Sequence, residues 1–225
     1  MSPVDLAALF DGPTPALAEG LLGCRLTVAA PDGAVTVRLT ETEAYGNAGE
    51  DPGAHSFRGR TERNAALFGP VCHTYVYLNY GIHRCLNLVG HPRGQAGGVL
   101  LRAGEVLAGR EAAVARRGRD TGARLLSGPG NLGQGLGITL GMGHLPVEIV
   151  PAPPTGPVPA PPGVPARFLL APPAAHDDGA RRPAVVRGPR VGVSGEGGSV
   201  RFPWRFHLAG DPSVSAYRRG RNVPD

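Results

Sequence analysis

The stretch from Gly33 to Gly46, "GAVTVRLTETEAYG", alternates apolar and polar side chains residue by residue, a period that fits a half-buried strand and no amphipathic helix. Val35, Val37 and Leu39 share one face; Thr36, Arg38 and Thr40 share the other. Carried forward, the same parity puts Glu41, Glu43 and Tyr45 on the inward face, just before Gly46 ends the strand. The expectation is a core face that turns acidic and aromatic at its end. An ionised carboxylate aimed into protein is costly unless it is paired, hydrogen-bonded or open to a water-filled pocket. Two readings stay open on these residues alone: glutamates solvated at a sheet edge or satisfied by arginines, and glutamates kept for chemistry.

Composition bounds what a pocket here could serve. The 225 residues suit one large or two small domains, and 41% hydrophobic residues can fill a real core. There is no stretch of about 18 apolar residues to span a bilayer, and no basic region with a short apolar run opens the chain, so a cytoplasmic protein without membrane partners is expected. Cys24, Cys72 and Cys85 form no disulfide framework and no CxxC pair. Cys72 and His73 with His83 and Cys85 are the nearest thing to a metal set, but adjacent residues of a strand point to opposite faces, so no metal is expected.

The net charge is +5 and the pI near 9.6, a balance that favours an acidic partner such as nucleic acid while fitting many plain enzymes. All 23 basic residues are arginine. Abundant Ala, Gly and Pro agree with a bias toward GC-rich codons, but the chemical consequence stands: no side-chain amine is available for a Schiff base.

Along the chain, "PTPALAEGLLG" reads as a short helix capped by Thr14, with Pro15 at its first position and Gly23 beyond its end. "GAHSFRGRTERNAALFG" reads as a polar loop carrying Arg58, Arg60 and Arg63 into a short helix capped by Thr61. "CHTYVYLNYGIHRCLNLV" reads as a hairpin turning near Asn79 to Gly81. "GGVLLRAGEVL" is a further strand leading into the helix "GREAAVARRGR", and "PRVGVSG" and "FPWRFHLAG" supply late strands. The glycine-rich "SGPGNLGQGLG" lacks the Gly-Lys pair of a phosphate loop and reads as a tight turn and helix start. Residues 151–165, "PAPPTGPVPAPPGVP", read as a polyproline-like surface loop or insertion within one domain spanning 1–225.

The hairpin exposes Tyr80 at its tip, where an aromatic side chain suits stacking or wedging. Its register decides the rest. A two-residue loop would pair Asn79 with Ile82 and put Tyr77 and Asn87 on opposite faces. An odd loop would gather Tyr75, Tyr77, His83 and Asn87 into one aromatic and amide wall suited to a flat heterocycle.

Taken in order, "LTETEAYG", "GAHSFRGRTERN", "YVYLNYGIHRCLNLV", "GVLLRAGEVLAG", "LLSGPGNLGQGLGI" and "PRVGVSG" with "FPWRF" strongly resemble the alkyladenine (3-methyladenine, methylpurine) DNA glycosylase family over nearly the whole chain. The resemblance implies an α+β fold: a single mixed domain around a curved, largely antiparallel sheet, with a protruding β-hairpin and peripheral helices. It implies a monomer acting on double-stranded DNA that contains damaged purines, flipping the base out and cutting its N-glycosidic bond with no cofactor and no metal.

Residue by residue, Glu43 matches the family's general base and Arg102 the arginine that helps hold the attacking water. Glu41 matches a family position and is expected to be a structural hydrogen-bond partner. Tyr45, His55 and Tyr77 match the walls of the base pocket, Tyr80 the side chain that fills the gap in the stack, and Asn87 the residue that discriminates against guanine. Arg58, Arg60 and Arg63 are expected at phosphates, from charge and position. Asn131 stands where the family often has lysine, which puts one phosphate contact in doubt. A non-catalytic nucleic-acid-binding module and a free-nucleoside hydrolase are the competing classes. The first makes no use of Glu43 and Arg102, and the second none of Tyr80.

Overall fold

The computed structural model describes residues 1–156, 158–160, 162–174 and 183–224. In chain order they form α1 (Pro3–Leu9), α2 (Thr14–Gly20), β1 (Arg25–Ala30), β2 (Gly33–Tyr45), β3 (His73–Asn79), β4 (His83–Val89), β5 (Gly98–Ala108), α3 (Arg110–Arg117), α4 (Pro129–Gly135), β6 (Val147–Ile149), β7 (Arg167–Ala171), β8 (Val185–Gly188) and β9 (Arg205–Leu208). The strands make one curled sheet in the order β3-β4-β5-β2-β1-β7-β6, with β9 pairing β2 and β8 pairing β9. Every pairing is antiparallel except β6 with β7. The expected α+β domain with its hairpin and peripheral helices is what the chain adopts. Among the described residues no helix is long and apolar enough to cross a membrane.

The long strand β2 organises the sheet. One of its edges pairs with β5 throughout, while the other pairs first with β1 and then, from Glu41 to Glu43, with β9. The change of neighbour coincides with irregularities in the β2–β5 register around Leu39, Glu41 and Thr42. Leu39 and Ala44, five positions apart, consequently share the core with Val35 and Val37, and the Thr42 hydroxyl donates to the Ala18 carbonyl of α2 at 2.8 Å. Uninterrupted alternation would put Leu39 and Ala44 on opposite faces. The expected parity thus fails at Thr40: Glu41, Glu43 and Tyr45 leave the apolar face and turn to the other side of the sheet. The bulge lets one strand serve the core in its first half and a polar site in its second.

Leu17 and Leu21 from the α2 side and Leu132 and Leu136 from the α4 side close the core over Leu39, Leu88 and Leu101. Each fully buried leucine contributes roughly 1.5–3 kcal/mol by removing apolar area from water.

Several local expectations are corrected. Thr14 is the first residue of α2, buried rather than capping, and Pro13 precedes it without a side-chain hydrogen bond. The helix after the arginine loop is a single 3-10 turn, Ala65–Phe68, preceded by Asn64; Thr61 accepts from the Asn64 amide at 3.4 Å, while Asn64 accepts from the Thr61 amide at 2.6 Å. "PRVGVSG" is irregular, and the strand lies just before it in β8. The described residues of 151–165 form neither helix nor strand.

Candidate active site

The hairpin resolves the register in favour of the odd loop. Asn79 pairs with His83, Tyr77 with Cys85 and Tyr75 with Asn87, around a three-residue turn, so Tyr75, Tyr77, His83 and Asn87 share one face. Tyr80 and Gly81 both have positive φ, +49° and +69°. For tyrosine this left-handed backbone is uncommon. It thrusts the ring outward, 84% exposed.

Beside the hairpin base lies a cleft of about 460 Å³, lined among others by Tyr45, His55, Tyr77, Tyr80, Asn87 and Arg102. This volume is in the range of small-molecule sites. His55 donates to or accepts from the Tyr75 hydroxyl through Nδ1 at 3.0 Å. The rings of His55 and Tyr77 meet edge to face at 4.6 Å, and Tyr75 stacks on Tyr77 at 5.7 Å. His55 and Tyr77 therefore form adjoining sides of one corner rather than two walls with a slot between them. The Asn87 amide donates to the Tyr75 carbonyl at 3.1 Å, which fixes how it faces the cleft.

Glu43 is fully buried behind three groups that line the cleft. Its Oε2 accepts from the Tyr45 hydroxyl at 2.9 Å and from Arg102 Nη1 at 3.2 Å, while Oε1 accepts from the Val191 backbone amide at 2.6 Å. Arg102 in turn gives Nε to Glu41 at 2.9 Å and Nη2 to the Ser215 hydroxyl at 3.2 Å. Burial works against its charge, but Glu43 and Glu41 outweigh that and hold Arg102 above the usual guanidinium range. Glu41 is as buried as Glu43 yet fully engaged, by Arg102, by Arg205 at 2.7 Å and by the amide and hydroxyl of Ser215. Burial alone would raise its pKa; Arg102, Arg205 and Ser215 more than offset it and keep the carboxylate below its usual range. The arginine-satisfied reading describes Glu41, and Glu43, also paired with Arg102, sits behind the groups that line the cleft. Tyr45 is pushed far above the ordinary phenol range by burial and then by the Glu43 charge, so it is a donor here.

Behind Tyr45 lies an assembly that sequence reasoning missed. Arg190 and Asp51 form a fully buried pair, and the Arg190 guanidinium lies 4.6 Å from the Tyr45 ring and 5.4 Å from Trp204. Asp51 also accepts from the amides of Gly46 and Gly53 at 2.9 Å each. Gly53 is required: a Cβ there would collide with Arg190 and Val193. These partners are far apart in the chain, and no spacing rule points from one to another. A burial-independent hint existed only in "PRVGVSG", whose Arg190 and Val191 carry the contacts.

Arg58, Arg60 and Arg63 are exposed on their loop, and none lines the central cleft. Arg58 and Arg63 line a neighbouring cavity of about 380 Å³ that shares His55 and Tyr75 with it. Asn131 spends its amide on the Ser127 carbonyl at 2.6 Å.

Comparison with known proteins points to one family. The pattern of the family described as methylpurine-DNA glycosylase (MPG) matches residues 8–212. A protein of Corynebacterium efficiens is 45% identical over 94% of this chain and 95% of its own. Another from Nocardia farcinica is 44% identical over 100% and 96%, and one from Streptomyces avermitilis 42% identical over 93% and 89%. Their names provisionally assign all three as 3-methyladenine DNA glycosylases. A match over residues 8–212, the span that holds the whole sheet and the hairpin, leaves one conclusion: this chain belongs to the methylpurine-DNA glycosylase family.

Proposed function

We propose that this enzyme removes alkylated purines such as 3-methyladenine and 7-methylguanine from duplex DNA by flipping them out and hydrolysing the N-glycosidic bond with water. The observation that carries the reading is the Glu43 carboxylate held by Val191, Tyr45 and Arg102 beside an aromatic cleft at the foot of an exposed hairpin. An ionised carboxylate offers about four acceptor positions. Three are taken, and the remaining one, on Oε1, is the position this reading assigns to a water aimed at C1′ of the deoxyribose. Glu43 then acts as general base, and Arg102 supports its charge.

Tyr45, His55 and Tyr77 receive the flipped base. Stacking against a cationic purine adds roughly 0.5–2 kcal/mol of cation–π attraction. Tyr80 occupies the gap in the duplex, and its exposure supports that role over a site for free nucleosides. Asn87 excludes guanine through its exocyclic amine, so Asn87→Ala releases normal guanine slowly where the parent does not. Arg58, Arg60 and Arg63 meet phosphates. A cationic base leaves without a strong acid, so a positioned water and carboxylate suffice for such lesions.

The test is incubation with methylated duplex DNA and analysis of the released bases. Base release with an intact, alkali-labile strand supports the reading; no release overturns it. With no lysine in the chain, borohydride should trap no protein–DNA adduct, and efficient trapping would replace water by an amine nucleophile.

A further inference from the structure

Residues 213–224 lie beyond the span that the family pattern matches, yet their backbone is fastened beside the cleft. The Arg218 carbonyl accepts from the Gly192 amide at 2.8 Å, and the Arg221 carbonyl from the Gly195 amide at 2.9 Å. Gly220 allows the contact, because a Cβ there would collide with the Val193 carbonyl. Gly192 and Ser194 are exposed and line the central cleft, so the arm is strapped along part of its rim.

The arginines of the arm face solvent. Arg218, Arg219 and Arg221 are all exposed, with Arg219 donating to the carbonyls of Val223 and Pro224. Among the described residues no carboxylate pairs with Arg218 or Arg221, whereas Arg110, Arg116, Arg167 and Arg187 each have an acidic partner. Clustered like charges repel one another, and fixing them on one backbone is most favourable when an anion lies against them. A phosphodiester backbone supplies evenly spaced anions next to a cleft that takes a base from a duplex.

We propose that the arm of residues 216–224 is a phosphate-binding strap, in which Arg218 and Arg221 contact the backbone of the duplex whose damaged base occupies the cleft. This rests on the DNA reading above and adds to it a surface along the 192–195 loop. Because main-chain carbonyls hold the strap, truncating the two side chains removes charge without releasing it.

The test measures binding of an abasic-analogue duplex against salt concentration for the full-length protein, R218A/R221A, R218K/R221K and the charge-matched control R110A/R167A. Each phosphate contact contributes about 0.9 to the slope of log K against log salt, so R218A/R221A should lower its magnitude by about 1.8. R218K/R221K should stay near the parent, since lysine keeps the charge, and the control should match the parent. An unchanged slope in R218A/R221A, or an equal drop in the control, overturns the strap. A parent that releases methylated bases while the slope is unmoved sinks the strap alone. A parent that binds no duplex and releases no base overturns the DNA reading and the strap together.

Discussion

Arg190 and Asp51 meet behind Tyr45 with no solvent access, Nη1 and Nη2 each 2.6 Å from one carboxylate oxygen. The same guanidinium braces the Tyr45 ring and, two positions from Asp51, packs against Gly53. Removing one partner strands a buried charge. Asp51→Ala should therefore cost roughly 3–5 kcal/mol. Urea denaturation should show a lower midpoint with little change in slope; a loss under about 1 kcal/mol would mean that the pair is not the brace it looks to be.

Glu43→Gln should slow single-turnover base release by about a hundredfold to ten-thousandfold while lesion binding stays within a few fold. The amide keeps the shape but has lost the negative charge that accepts the water's proton. Excision near the parental rate would remove Glu43 from the general-base role. Glu41→Gln, by contrast, should act mostly through stability, because the Glu41 carboxylate already accepts four hydrogen bonds, from Arg102, Arg205 and the amide and hydroxyl of Ser215. A chevron-independent check is the thermal midpoint, which should fall for Glu41→Gln.

Tyr80→Ala should weaken retention of the flipped base more for a well-paired lesion than for a mismatched one, since unstacking costs a few kcal/mol and the wedge offsets part of it. Equal losses on both duplexes would argue against a wedge. Tyr80→Gly should lose retention just as much with stability unchanged to within about 1 kcal/mol, because glycine accepts the φ of +49° that tyrosine holds at a cost.

Partial desolvation in its corner against Tyr75 and Tyr77, with the charge of Arg63 adding to it, holds His55 below the usual imidazole value of 6.5 even though the residue is exposed. The unfolded chain therefore binds the proton more readily than the folded one as pH falls. Stability from this group is complete above 6.5 and is lost as pH drops through the lowered folded value. His55→Gln should flatten that part of the stability profile over about pH 5–7. The check is the urea midpoint of parent and variant across this range; parallel profiles would assign the dependence to other groups.

Local periodicity in the sequence determined a good deal of this protein. The alternation in β2, the apolar runs of β3 to β5 and the Asn-Tyr-Gly turn are each decided by neighbours in the chain, and each element formed where its pattern lay. The motifs around Glu43, His55, Tyr77, Asn87 and Arg102 were picked out by another route, their resemblance to a known family. Only the tertiary structure decided which face each residue serves. Parity carried through β2 put Glu43 in the apolar core, because alternation cannot see that β2 exchanges β1 for β9 and bulges where it does so. The loop length of the hairpin likewise admitted two registers until pairing selected one. The groups that hold the site are further still from local rules: Val191 reaches Glu43 across 148 positions, Ser215 reaches Glu41 across 174, and Asp51 reaches Arg190 across 139. A buried charge is tolerated only where distant partners satisfy it, and those partners exist only once the sheet has curled and the loops have closed over it.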